Sequence, residues 1–94
     1  MVDKATVMKE LDKVLDPEIG IPVTAMKLID KILIDKDNVT VEFHLSMPWC
    51  PGVFAMQIAK DIRKVVSQIE GVKSAKIKLK DHYMEDQINK EANE

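Results

Sequence analysis

The residues of this chain with the most chemical capacity are gathered in Ser46-Met47-Pro48-Trp49-Cys50-Pro51-Gly52, which holds the only cysteine. The segment lies where an alternating apolar pattern gives way to a helical one. Pro48 stops a strand ladder, and Pro51 suits the first turn of a helix, where its missing N–H would have had no partner. Cys50 therefore falls at or just before a helix N-terminus. Unpaired N–H groups and the positive end of the helix dipole favour an anion there, and the thiolate is the form of cysteine that attacks electrophiles or binds metal. A free cysteine also serves widely as a small buried hydrophobe. The strand-Pro-x-Cys-Pro-helix setting favours the functional thiol. Trp49, beside the thiol in a proline-rich turn, either presents a partner surface or caps the core.

The rest of the donor inventory is sparse. One cysteine and two histidines cannot supply the common four-ligand sets of zinc or iron–sulfur sites, so any metal would need ligands from a second subunit, a small thiol or carboxylates. His44 lies on the polar side of a strand pattern, as a solvated histidine or as a ligand or base. His82 sits beside Tyr83 past the last strand pattern, in a loop able to fold back toward Cys50. A cysteine–histidine hydrolase is weakly supported, because neither histidine has an evident orienting partner. Lys73, Lys76, Lys78 and Lys80 read as a solvated strand face with no stacking aromatics among them, which argues against nucleic acid.

The elements that must position these residues follow from periodicity. Val7, Met8, Leu11, Val14 and Leu15 share one side of a first helix over 4–15. Asp16-Pro17-Glu18 ends it, because the residue before proline is pushed out of the helical region. The apolar loop Ile19-Gly20-Ile21-Pro22 is expected to pack on the core or line a site, and 23–27 is ambiguous. A first strand over 28–35 points Ile32 and Ile34 inward, and Asp30 makes its start irregular. Asp35-Lys36-Asp37-Asn38 turns the chain into a second strand bearing Val39, Val41, Phe43 and Leu45, which gives an antiparallel hairpin. Ala55, Ile58, Ala59, Ile62, Val65, Val66 and Ile69 mark a second helix from about Pro51 to Ile69, stopped at Gly71. A third strand over 72–80 carries Ala75, Ile77 and Leu79. Strand–helix–strand connections cross right-handed, so strands two and three should run parallel. The predicted class is α+β: a two-layer sandwich, α-β-β-α-β, with a three-stranded mixed sheet covered on one face by two helices. A polar tail from about residue 86 is expected to be flexible beyond a helical turn near 85–90.

Ninety-four residues make one domain over 1–94. With one cysteine no internal disulfide forms, and a reducing, cytoplasmic setting fits best. The N-terminal residues lack the pattern of a signal peptide, and no apolar run reaches the length of a membrane span. Fourteen basic and sixteen acidic residues nearly cancel, which gives no electrostatic case for nucleic acid or an anionic membrane as partner.

Taken in order, Asp16-Pro17-Glu18-Ile19-Gly20-Ile21 after a first helix, a hairpin, then Met47-Pro48-Trp49-Cys50-Pro51, and later Gly71-Val72 before a last strand, resemble the metal-sulfur cluster biosynthetic family of SufT and PaaD-like proteins. The small subunit of the eukaryotic cytosolic iron-sulfur targeting complex belongs to that family. The resemblance runs from Val7 to Ile88. It implies a cytosolic accessory factor, not an enzyme, that assembles iron-sulfur clusters or delivers them to recipient proteins. The family's reactive cysteine corresponds to Cys50 as metal or sulfur ligand, and its acidic-proline loop to Asp16, Pro17 and Glu18. Its final segment corresponds to Asp81, His82 and Tyr83, with His82 where proline is common. Trp49, Pro51, His82, Tyr83 and the Asp16 to Pro22 loop would form the rim where an assembly scaffold and client apoproteins dock. The implied cofactor is iron or an iron-sulfur cluster, transient and shared between the subunits of a homodimer. A metal-free adaptor bridging scaffold and clients is the alternative. The chain also departs from the family: Ala25-Met26-Lys27-Leu28 replaces an Asp-or-Asn-Leu-Gly-Leu segment, and Asp30 replaces a frequent aromatic. The polar side chain the family places near the cysteine is thus missing, which implies either a weakened or altered site or its substitution by Asp30 or His82.

Overall fold

The computed structural model describes residues 2–94. The elements run α1 (Lys4–Leu11), β1 (Ile29–Asp35), β2 (Asn38–His44), α2 (Gly52–Ser67), β3 (Ser74–Lys80) and α3 (Glu85–Ala92). The sheet order is β1-β2-β3, with β1 and β2 antiparallel and β2 and β3 parallel, as the sequence predicts. Two residues, Lys36 and Asp37, join β1 to β2. Lys36 adopts a positive φ of 59°, a conformation that lets so short a turn follow the twist of its strands. The β1 register slips between Ile29 and Lys31, so Asp30 sits in a bulge where the pattern shows its irregularity.

Burial follows the two periods. Val39, Val41 and Phe43 of β2 and Ala75, Ile77 and Leu79 of β3 face the helices. Against them lie Ala55, Ile58, Ala59, Ile62 and Val66 of α2, with Val7 and Leu11 of α1. On the opposite face of the sheet, Thr40, Glu42, His44, Lys76 and Lys78 meet solvent in part or in full. Asp3 caps α1 by accepting a hydrogen bond from the Thr6 amide at 2.8 Å, and that backbone donor holds the Asp3 carboxyl below the usual carboxylate range.

Two segments differ from expectation. The first helix ends at Leu11 rather than Leu15. The amides of Lys13 and Val14 bond three residues back, and the chain then turns extended, with Val23 N–H donating to the Val14 carbonyl and Leu15 bridged to Pro22. Val14 is buried all the same, while Leu15 stays exposed, so the apolar spacing is satisfied by a loop closure instead of another helical turn.

The second difference is α3, a third helix where a polar tail was expected. Ile88 and Ala92 are buried in the core. The Asn89 side chain accepts from the Leu79 amide at 2.7 Å and donates to the Leu79 carbonyl at 3.1 Å. Asn93 does the same to Ile77, at 2.9 and 3.0 Å. Arg63 of α2 donates to the carbonyls of Ala75 (2.9 Å), Ala92 (3.1 Å) and Glu94 (2.8 Å). The outer backbone of β3 is thereby paired at residues 75, 77 and 79, and the helix that supplies the pairing is anchored by the same contacts. Few apolar residues are needed when side-chain amides take over the work of a neighbouring strand.

Candidate functional site

The site is built where β2 leaves the sheet. Leu45 remains buried, and Ser46–Pro51 then crosses the end of the sheet to α2. The Cys50 amide donates to the Met47 carbonyl at 3.3 Å, closing a turn on the thiol. Pro51 is the residue before α2 rather than within it, and no side chain caps that helix end. Phe54 and Ala55 donate to the Pro51 carbonyl at 3.0 and 3.1 Å. Cys50 therefore stands one residue before the cap, in the position the sequence predicts. Its thiol is free, and the residue is partly buried, packed against the edge of the core. Ser46 Oγ lies 3.9 Å from Cys50 Sγ.

The corner between β3 and α3 holds this turn in place. Asp81 takes a positive φ of 57°, which swings the chain back across the sheet end. The Tyr83 amide donates to the Pro48 carbonyl at 3.0 Å. His82 lies 2.7 Å by Nε2 from the Cys50 carbonyl, and its Nδ1 accepts from the Met84 amide at 3.0 Å. Because Nδ1 receives that amide proton, the ring hydrogen belongs on Nε2, which donates to Cys50. Met84 packs against Gly52 so closely that a Cβ there would fall 2.7 Å from the Met84 sulfur and would have to push that side chain aside. Three successive contacts thus fix the backbone on both sides of the thiol.

His82 is 4 % exposed, so it is a buried latch and not a residue of the rim where the sequence put it. Its two ring nitrogens are both occupied within the protein, which leaves none for a partner. The rim is largely apolar: Trp49 and Val53 are 68 % and 72 % exposed, and Tyr83 is 65 % exposed, its ring tilted 35° to that of His82 with centroids 4.7 Å apart. Trp49 does not cap the core. Pro51 is exposed beside it.

The acidic-proline loop is a separate construction. Asp16 is buried; its carboxylate accepts from the Glu18 amide at 2.8 Å, its own amide donates to the Ile21 carbonyl at 2.9 Å, and its carbonyl accepts from Gly20 at 2.7 Å. Asp16 therefore shapes the loop, and Pro17, Glu18, Ile19 and Ile21 are held out in solvent. Of the two places expected for this apolar loop, on the core or lining a site, Ile19 and Ile21 do not take the first. Among the described residues no hydrogen bond joins it to the Ser46–Pro51 turn. Of the two candidate substitutes for the missing polar group, His82 does reach Cys50, through its backbone. Asp30 pairs instead with His44, whose Nδ1 lies 2.8 Å from its carboxylate.

Among the described residues no group of three or more histidine, cysteine or acidic side chains is arranged to hold a metal ion. One chain offers a single thiol. No helix among the described residues is long and apolar enough to cross a membrane.

Comparison with known proteins agrees with the fold and shows the family. The chain is 37% identical over 91 residues to an uncharacterised protein of Methanocaldococcus jannaschii, covering 95% of this chain and 93% of that one. It is 38% identical over 74 residues to the Fe-S protein maturation auxiliary factor of Porphyromonas gingivalis, covering 78% and 69%. It is 30% identical over 77 residues to the iron-sulfur cluster carrier protein of Mycobacterium leprae, covering 81% of this chain but only 20% of that relative. Among solved structures, a conserved hypothetical protein of Thermotoga maritima superposes with a TM-score of 0.74 at 34% identity, over 84% of this chain and 76% of that one. A domain of unknown function from Bacillus anthracis shares the fold, with a TM-score of 0.75 at 22% identity over 95% and 86% of the two chains. Residues 4–79, from the start of α1 through nearly all of β3 and so across the whole Cys50 turn, match the family described as iron-sulfur cluster assembly protein, and the chain belongs to that family.

Proposed function

We propose that this protein is an accessory factor in iron-sulfur cluster assembly or delivery, with Cys50 as the thiolate that transiently holds iron or a cluster as cargo. The observation that carries this reading is the partly buried Cys50 beside the uncapped start of α2, its backbone pinned by His82 and its neighbours Trp49, Val53 and Tyr83 exposed. A pinned backbone fixes where the Cys50 side chain starts, whereas a lone ligand keeps cargo transferable. The remaining ligands come from a small thiol, a second copy or the recipient protein. The relatives named as a maturation auxiliary factor and a cluster carrier support a role in cluster assembly or carriage. Anaerobic reconstitution with iron and sulfide, with and without a small thiol, tests it. A visible charge-transfer absorption present in the wild type and lost in Cys50→Ser is expected; no Cys50-dependent chromophore under either condition overturns the carrier role.

A second reading is favoured by the exposed Trp49, Val53 and Tyr83: a metal-free adaptor that bridges an assembly scaffold and client apoproteins. Pull-down of such partners separates the two readings. The adaptor requires Cys50→Ser to retain partners and Trp49→Ala to lose them.

A further inference from the structure

The sheet has one closed edge and one open edge. At the β3 edge, Asn89 and Asn93 occupy the backbone groups a further strand would use. Along β1, no backbone group of Ile29–Asp35 bonds to any described element other than β2. We infer that β1 is a docking edge for β1 of a second copy of this chain, paired antiparallel about a two-fold axis at Leu33.

The register follows from the hairpin. A two-residue turn closes on a hydrogen-bonded pair, here Asp35 with Asn38. Alternation then turns the amides and carbonyls of Leu33 and Lys31 toward β2, and those of Ile34 and Ile32 outward. An antiparallel two-fold pair must join outward groups to outward groups. With the axis at Leu33, Ile32 bonds to the partner's Ile34 and Ile34 to the partner's Ile32. Leu33, 42 % exposed on the open face, then meets the partner's Leu33, and Lys31 meets the partner's Asp35 on each side of the axis. On the helix side the partner's Ile34 falls beside Ile32 and the half-exposed Met8, which line a shallow groove there.

Sliding the pair by two residues sets Leu33 against a charge, lysine in one direction and aspartate in the other. A shift of one breaks the hydrogen-bond phase. The bulge at Asp30 confines the flat edge to Lys31–Asp35. Bulges and charges ordinarily guard an edge against indiscriminate pairing, and these charges spare only a partner carrying the same strand in this register. Within the dimer the two β2 strands run in opposite directions, so each carries its Cys50 turn away from the axis toward opposite ends of a six-stranded sheet. The inference goes beyond the Cys50 reading and stands or falls separately from it.

Sedimentation velocity of the full chain, from micromolar to millimolar concentration, is the test. Wild type is expected to dimerise reversibly. Replacing one member of a charge pair acts twice across the interface, so Asp35→Lys and Lys31→Asp should each weaken association about tenfold or more. The double variant K31D/D35K should return to within about threefold of wild type, since it restores both pairs with signs exchanged. Asp35 faces only Asn38 in its own hairpin, whereas Lys31 faces Glu42, so D35K remains informative even where K31D is less well folded. A wild type that stays monomeric throughout overturns the inference. So does a dimer indifferent to D35K but lost in Trp49→Ala, or a double variant no better than the singles.

Discussion

β3 and β1 are the two edges of one sheet, and the chain treats them in opposite ways. The outer backbone of β3 is paired at Ile77 and Leu79 by side-chain amides from α3, and Arg63 takes the Ala75 carbonyl. The outer backbone of β1 carries charges, a bulge and one exposed leucine. Closing an edge with asparagines commits the helix that bears them to a fixed position. That position in turn fixes the corner at His82 and Tyr83, and through it the backbone of Cys50. The closed edge thus lies on the side of the molecule that must hold a sulfur still.

The largest effect that would break this contrast is removal of both amides. In the double variant Asn89→Ala with Asn93→Ala, four backbone groups of Leu79 and Ile77 lose their partners. With each unsatisfied group costing roughly 1 kcal/mol or more, the expected loss of stability is about 4 kcal/mol by urea unfolding. A loss below about 1 kcal/mol would mean that water replaces the amides without penalty and that the edge is not closed by them. Ile88→Ala comes next. Ile88 is fully buried, and truncating it should cost about 3 kcal/mol. The same variant should speed alkylation of Cys50, because the α3 corner loosens with the helix. Arg63→Met follows, at about 2 kcal/mol for three charge-assisted bonds partly open to water. Arg63→Lys should recover little of this, since a single ammonium cannot span carbonyls on both β3 and the end of α3.

The contrast between the edges also explains what the sequence could and could not disclose. β2, α2 and β3 announce themselves because each buries one clean face: Val39, Val41 and Phe43 alternate, and Ala55, Ile58, Ala59 and Ile62 recur at helical spacing. Cys50 was legible because two prolines and a change of period mark its place. α3 was not, because it buries only Ile88 and Ala92, and its other contacts are made by asparagines that read as polar filler. A signal was present. Asn89 and Asn93 are four residues apart and share a helix face next to Ile88 and Ala92, but their worth depends on an unpaired strand edge that no local pattern reveals. His82 was misread for a similar reason: its burial is decided by the turn at Asp81 and by a carbonyl far away in the chain. Asp16 was placed in the right loop but in the wrong role, since an aspartate before proline looks the same whether it faces a partner or bonds its own backbone.

The smallest effect is expected at the open edge, and there the absence of a stability change is the informative result. Leu33 is on the solvent face of β1, where threonine is an equally good strand former, so Leu33→Thr should leave the unfolding free energy of dilute protein within about 0.5 kcal/mol of wild type. The difference should emerge only with concentration. A protein whose folded form associates through β1 gains stability by mass action as it is concentrated, so the wild-type melting temperature should climb while that of Leu33→Thr stays nearly flat. Equal slopes for the two proteins would show that Leu33 faces water at every concentration. The open edge would then be guarded by its charges and bulge alone, and the asymmetry of the sheet would serve only the side that carries the sulfur.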